Sequence, residues 1–181
     1  MRRIRRRTVP DHVDLSGRHG THHCGCRVGE GVARHGAIRT ALTTGDLGSI
    51  GFSFPAALGA WAASQEEDPR FAGRKVVSVS GDGGFGQYMV EMTTAVKYGM
   101  NITHVLPNNS ELGKISKEQR SGSWDVWQTS LVNPSFADYA ELCGALGIRV
   151  ETAAEFAGAL ERALEHDGPA LVEIHSDAQL V

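Results

Sequence analysis

Four short apolar runs, set apart by stretches of helical length, constrain this chain more than any other feature. Lys75-Val-Val-Ser-Val-Ser80, Asn101-Ile-Thr-His-Val-Leu106, Ile148-Arg-Val150 and Ala170-Leu-Val-Glu-Ile174 are rich in β-branched residues and read as strands. The segments between them carry helix signals. Phe85, Tyr88, Met89, Met92 and Val96 recur at helical spacing across 84–98, with Gly99 as the stop. Asn133-Pro134 reads as an N-cap followed by proline at the first helical position, opening a helix to about Leu146 that Gly147 ends. Thr152-Ala-Ala-Glu155 is a capping box, starting a helix to about His166. Upstream, the small apolar stretch from Phe52 to about Gln65 reads as a closely packed helix, and 111–132 as a short helix plus an irregular stretch. Such alternation needs crossover connections. The expected class is therefore α/β, a parallel sheet with helices on both faces. Ligands of such sheets bind outside the carboxyl ends of the strands.

Charge divides the chain in two. Residues 1–39 hold nine arginines against three acidic residues, and residues 40–181 hold nine Lys and Arg against eighteen acids. The acidic remainder argues against a nucleic-acid-binding body. No apolar run reaches the ~20 residues of a membrane span. Three cysteines are too few for a disulfide framework, so a cytoplasmic location is expected. The basic start, Met1-Arg-Arg-Ile-Arg-Arg-Arg7, lacks the apolar stretch of a secretory signal. Glycines punctuate residues 1–39, which read as an atypical segment, mostly loop, ahead of a domain at 40–181. His22-His23-Cys24-Gly25-Cys26 is one cluster where a structural zinc site wants two, so zinc is not expected.

Two loops carry the chemistry. Gly81-Asp-Gly-Gly84 lies between a strand and a helix, where glycines let backbone N–H groups approach an anion and the helix adds its positive end. Asp82 puts a carboxylate beside that anion, which requires a bridging cation. Mg²⁺, with its preference for oxygen ligands, fits. Asn108-Asn109 ends the next strand and offers amide oxygens. Either loop alone is also an ordinary turn; their pairing at the ends of consecutive strands favours a site.

Gly81-Asp-Gly83, then 24 residues, then Asn108-Asn109, resembles the signature of thiamine-diphosphate-dependent enzymes. The flanks agree: Gly45-Asp-Leu-Gly-Ser-Ile-Gly51 with the helix after it looks like the loop that holds the aminopyrimidine ring. Asn109-Ser-Glu-Leu-Gly-Lys-Ile-Ser-Lys-Glu118 resembles the pyruvate oxidase and acetolactate synthase group. The resemblance covers about 40–181, the diphosphate-binding domain. It implies side-chain ligation of Mg²⁺ by Asp82 and Asn109, and ligation by the Glu111 backbone carbonyl. The N–H groups of Gly83 and Gly84 would hold the diphosphate. The Gly48 carbonyl and Ile50 N–H would meet the aminopyrimidine, with the Ile50 side chain wedged between the cofactor's rings and Leu112 lining the thiazolium pocket. Glu118 matches a carboxylate near substrate in oxidase relatives; its plain reading is an exposed helical Glu.

The activity implied is decarboxylation of a 2-oxo acid, with the cofactor as electron sink. The glutamate that activates the cofactor comes, in this family, from a separate pyrimidine-binding domain, normally of a neighbouring subunit, so an oligomer is implied and the chain is expected to be catalytically incomplete alone. FAD is not expected on this chain. The rival readings are a truncated remnant and a vestigial dimerisation module. Two departures stand out: Pro107 occupies a position usually held by a residue with an N–H, which would cost a ladder bond, and residues 1–39 show no convincing version of the family's first strand, which is expected to be missing or degenerate. Trp124 and Trp127 are expected to pack.

Overall fold

The predicted strands all form: the first is trimmed by a residue at each end, and the other three are shifted or extended. In the computed structural model, which describes residues 48–66 and 72–178, the order is α1 (Ser53–Ser64), β1 (Val76–Val79), α2 (Asp82–Phe85), α3 (Glu91–Lys97), β2 (Ile102–Asn108), α4 (Gly113–Ser121), α5 (Phe136–Leu142), β3 (Leu146–Val150), α6 (Ala153–Glu165) and β4 (Ala170–His175). The strands pair in the order β1-β2-β4-β3, every pair parallel. The expectations for residues 1–39, including the first strand and the His/Cys cluster, lie outside the described residues.

Pleating sends alternate side chains to opposite faces. Ile102, Leu106 and Leu171 pack with Phe54, Phe85, Met92 and Phe136 from α1, α2, α3 and α5. On the other face Ile148, Val150, Ala170 and Val172 pack with Ala159 and Ala163 of α6. Both faces of the sheet thus carry helices, as the βα alternation requires. Thr103 Oγ1, on the α6 face of β2, donates to the Ala163 carbonyl at 3.0 Å. Among the described residues, no helix is long and apolar enough to cross a membrane.

Three local expectations need correction. The helix expected over 84–98 is broken into α2 and α3. Between them the N–H groups of Gln87, Tyr88, Glu91 and Met92 bond three residues back rather than four. Three glycines within 83–86 weaken α-helical pitch, and the tighter turn takes over. The N-cap of α5 is Ser135, whose Oγ accepts from the Asp138 N–H at 3.2 Å, and not Asn133, whose side chain is engaged elsewhere. That helix also stops at Leu142, with Gly144 left-handed at φ +90°, while Gly147 lies in β3. Trp124 and Trp127 do not pack; each is about 70% exposed.

Pro107 lies at the carboxyl end of β2. Ser80 N–H donates to Val105 O and Val76 N–H to Asn101 O, so the odd-numbered peptides of β2 face β1. β1 ends at Val79, and its extension turns away into Gly81. Continuing that alternation would aim an N–H at 107 toward the Ser80 carbonyl, so the bond that Pro107 forgoes is the last of the β1–β2 ladder.

Candidate active site

β1 and β2 are neighbours, so the loops that leave their carboxyl ends stand side by side. The first runs directly into α2. Gly81 is its extended N-cap, at φ −67° and ψ 165°, and the Gly84 and Phe85 N–H groups close back on the Gly81 carbonyl at 3.0 and 2.9 Å. Asp82 is buried, 3% exposed. Its Oδ2 accepts from Asn133 Nδ2 at 2.6 Å, and Oδ1 has no side-chain partner among the described residues.

A side chain at Gly83 would have to displace two leucine tips. A Cβ there would lie 2.7 Å from Leu112 Cδ2 and 3.3 Å from Leu131 Cδ1, so Gly83 and Leu112 are in close contact. Gly84 faces Gly51, where an added Cβ would stand 3.0 Å from the Gly84 carbonyl and 2.7 Å from the Tyr88 ring. Gly51, at φ +83°, and Gly48, at φ +57°, take the left-handed geometry that glycine enters without strain. Ile50 sits half-buried in the turn between them.

The second loop is a chain of local bonds. Asn108 Oδ1 accepts from the Ser110 N–H, from Ser110 Oγ and from Asn133 Nδ2. Asn109 Oδ1 accepts from the Glu111 N–H at 3.1 Å, an Asx turn that leaves the oxygen a second lone pair. Glu111 pairs with Ser130 in an antiparallel bridge. The bridge bonds use the carbonyls of Ser110 and Thr129, at 2.7 Å each, and leave the Glu111 carbonyl without a hydrogen bond among the described residues. The Glu111 carboxylate is committed instead to Ser116 Oγ and to Thr129 Oγ1. It pins the start of α4, and the backbone oxygen is what remains for a ligand. Glu118, on α4, is exposed and lies 3.9 Å from Lys114 Nζ. Its contacts do not join it to Asp82 or Asn109.

An available carboxylate oxygen on Asp82, an amide oxygen on Asn109 and an unused carbonyl on Glu111 make a set of hard oxygen donors. That is the chemistry Mg²⁺ requires, and the Gly83 N–H has no acceptor among the described residues, which leaves it for an anion. The residues present fit both a cation and a diphosphate.

Two buried polar residues of this neighbourhood, Glu173 and His104, escaped the sequence reading, as did the bridging part of the half-buried Asn133. Glu173, on β4, is fully buried. Its Oε1 accepts from Asn108 Nδ2 at 2.8 Å and its Oε2 from the Ala137 N–H at 2.9 Å. Asn133 bridges the two loops. His104, on β2, is fully buried against Phe85, stacked at 4.7 Å, with Nδ1 2.7 Å from Ser78 Oγ and Nε2 3.2 Å from Ser80 Oγ. Burial drives its pKa down to about 3, so it is neutral. The available signal was a lone polar residue inside each apolar run, which a strand covered on both faces keeps only when partnered.

Comparison with known proteins decides the family. Residues 5–174 match the model of the thiamine pyrophosphate enzyme C-terminal, thiamine-pyrophosphate-binding domain. The chain belongs to this family. The match spans both sides of the charge break. Among relatives, the thiamine pyrophosphate-containing protein YdaP of Bacillus subtilis is 40% identical over 79% of this chain and 24% of its own length. A mitochondrial acetolactate synthase catalytic subunit of Aspergillus candidus is 31% identical over 78% of this chain and 20% of its own. The thiamine diphosphate-dependent 4-hydroxybenzoylformate decarboxylase of Rhodococcus jostii RHA1 superposes with a TM-score of 0.64 at 27% identity, covering 73% of this chain and 24% of that one. The chain thus spans about a quarter of the length of the relatives it matches.

Proposed function

We propose that the chain is the thiamine diphosphate- and Mg²⁺-binding domain of an enzyme that decarboxylates a pyruvate-type 2-oxo acid, as an oxidase or a carboligase. What supports this reading is that the Asp82 and Asn109 loops leave the ends of neighbouring strands, and that Asp82 Oδ1 and the Glu111 carbonyl are each without a hydrogen bond among the described residues. Asp82, Asn109 and Glu111 would hold the cation, Gly83 and Gly84 the diphosphate, and Gly48, Ile50 and Leu112 the rings. When bound, the cofactor supplies an electron sink for the carbanion left by loss of CO₂. Glu118 is the carboxylate this domain would present near substrate. The glutamate that activates the cofactor, and the wall that excludes water, come in this reading from a pyrimidine-binding domain on a partner subunit, within an oligomer. Low cysteine usage supports a cytoplasmic setting.

Calorimetry of the full chain with thiamine diphosphate tests the reading. Heat that requires Mg²⁺ and disappears in Asp82→Ala is expected. Absence of Mg²⁺-dependent heat in the unmodified chain would instead favour the rival view, a vestigial dimerisation module.

A further inference from the structure

Asn133 is the side chain that ties the two loops together. Its Nδ2 donates to Asp82 Oδ2 at 2.6 Å and to Asn108 Oδ1 at 2.9 Å. Both protons of that amide are therefore spent. Nor is the group free to swing. Asn108 donates in turn to Glu173 Oε1, and Glu173 is fixed by the Ala137 N–H and by its place in β4, paired with β2 on one side and β3 on the other. The orientation of the Asp82 carboxylate is thus set by a relay anchored in the centre of the sheet.

The two oxygens of Asp82 are consequently unequal. Oδ2 accepts a short bond from Asn133, which occupies one of its lone pairs, and Oδ1 accepts none among the described residues. A carboxylate can bind a cation through one oxygen or through both. Ca²⁺ takes bidentate carboxylates readily in its large, flexible shell, whereas Mg²⁺ holds a tight octahedron and takes carboxylates through single oxygens. We propose that Asn133 is a specificity-determining positioning residue: its bond competes with the metal for Asp82 Oδ2 and holds the carboxylate with Oδ1 as the favoured single ligand, which biases the site toward Mg²⁺ and against Ca²⁺. This rests on the cation- and diphosphate-binding reading above, and adds to it a residue outside the ligand set.

The test is titration calorimetry of the full chain with thiamine diphosphate at varied Mg²⁺ or varied Ca²⁺. The unmodified chain is compared with Asn133→Ala and with Asn133→Leu, which keeps nearly the native volume without a donor. Freeing Oδ2 is expected to narrow the ratio of half-saturating Ca²⁺ to half-saturating Mg²⁺ by about tenfold, the factor one charge-assisted hydrogen bond carries. Ca²⁺ affinity should hold or rise while Mg²⁺ affinity falls. Equal weakening with both metals would assign Asn133 a purely structural part and overturn the proposal, as would an unchanged ratio. If the unmodified chain binds thiamine diphosphate with neither metal, the cofactor reading itself falls and this inference with it. Thermal unfolding without metal accompanies each variant, and should Asn133→Ala fail to fold, the Asn133→Leu ratio decides.

Discussion

Among the described residues, the His104 ring meets Ser78, Ser80, Phe54 and Phe85, none of which carries a charge. Desolvation alone holds its pKa at about 3, against about 6.5 in an open chain. Between those values the unfolded chain binds a proton that the folded chain does not. Stability from this group is therefore complete above about pH 6.5 and is lost as pH falls toward 3, at a limiting slope of about 1.4 kcal/mol per pH unit. Urea unfolding at stepped pH should show this decline, and His104→Gln should flatten it by about one proton. An unchanged slope in the variant would mean that the ring is protonated or hydrated in the fold. Glu173 makes a different prediction. Its removal in Glu173→Ala strands two buried donors, Asn108 Nδ2 and the Ala137 N–H. The expected loss is about 3 kcal/mol in urea unfolding, with Glu173→Gln losing less, because the amide keeps an acceptor for one of the two.

Elements show which parts of this molecule sequence periodicity can reach. The strand runs, the α6 capping box and the Gly81–Gly84 turn are local signals, and the structure places an element at each. Asn133 failed as a local signal because its partners, Asp82 and Asn108, are 51 and 25 residues away. A cap motif was present, but non-local hydrogen bonds claimed the side chain, and the cap moved two residues on to Ser135. The relay through Glu173 was hidden for the same reason. Of the site, the two loops were legible; the bonds that orient Asp82 were not. Gly147 belongs to this scale too. It read as a helix stop, yet it sits in β3 where α5 crosses closely. A Cβ at 147 would run into the Ala137 carbonyl oxygen and lie 2.8 Å from the Ala137 carbonyl carbon. These are backbone atoms of the α5 turn that holds Glu173, so they cannot yield as a side-chain tip would. Gly147→Ala should cost about 3 kcal/mol in chemical denaturation, at the upper end for overpacking, whereas Gly59→Ala, with open space around it, should be neutral or slightly stabilising.

At the scale of the whole molecule, the question is whether one chain can complete the chemistry. Activating the cofactor needs an uncommitted acid facing the aminopyrimidine. The described acids around the two loops have other work. Asp82 is bound to Asn133 and proposed as a cation ligand, Glu111 is held by Ser116 and Thr129, and Glu173 is enclosed in its relay. Glu118 is exposed and paired with Lys114 on the far side of a helical turn. Binding and turnover should therefore separate: the purified chain is expected to take up thiamine diphosphate with Mg²⁺ and yet release CO₂ from pyruvate no faster than the free cofactor does. Addition of a pyrimidine-binding domain from a relative should restore release, and Asp82→Ala should abolish what is restored. Sustained CO₂ release by the chain alone would show that it holds its own activating acid, and would overturn the assignment of that role to a partner.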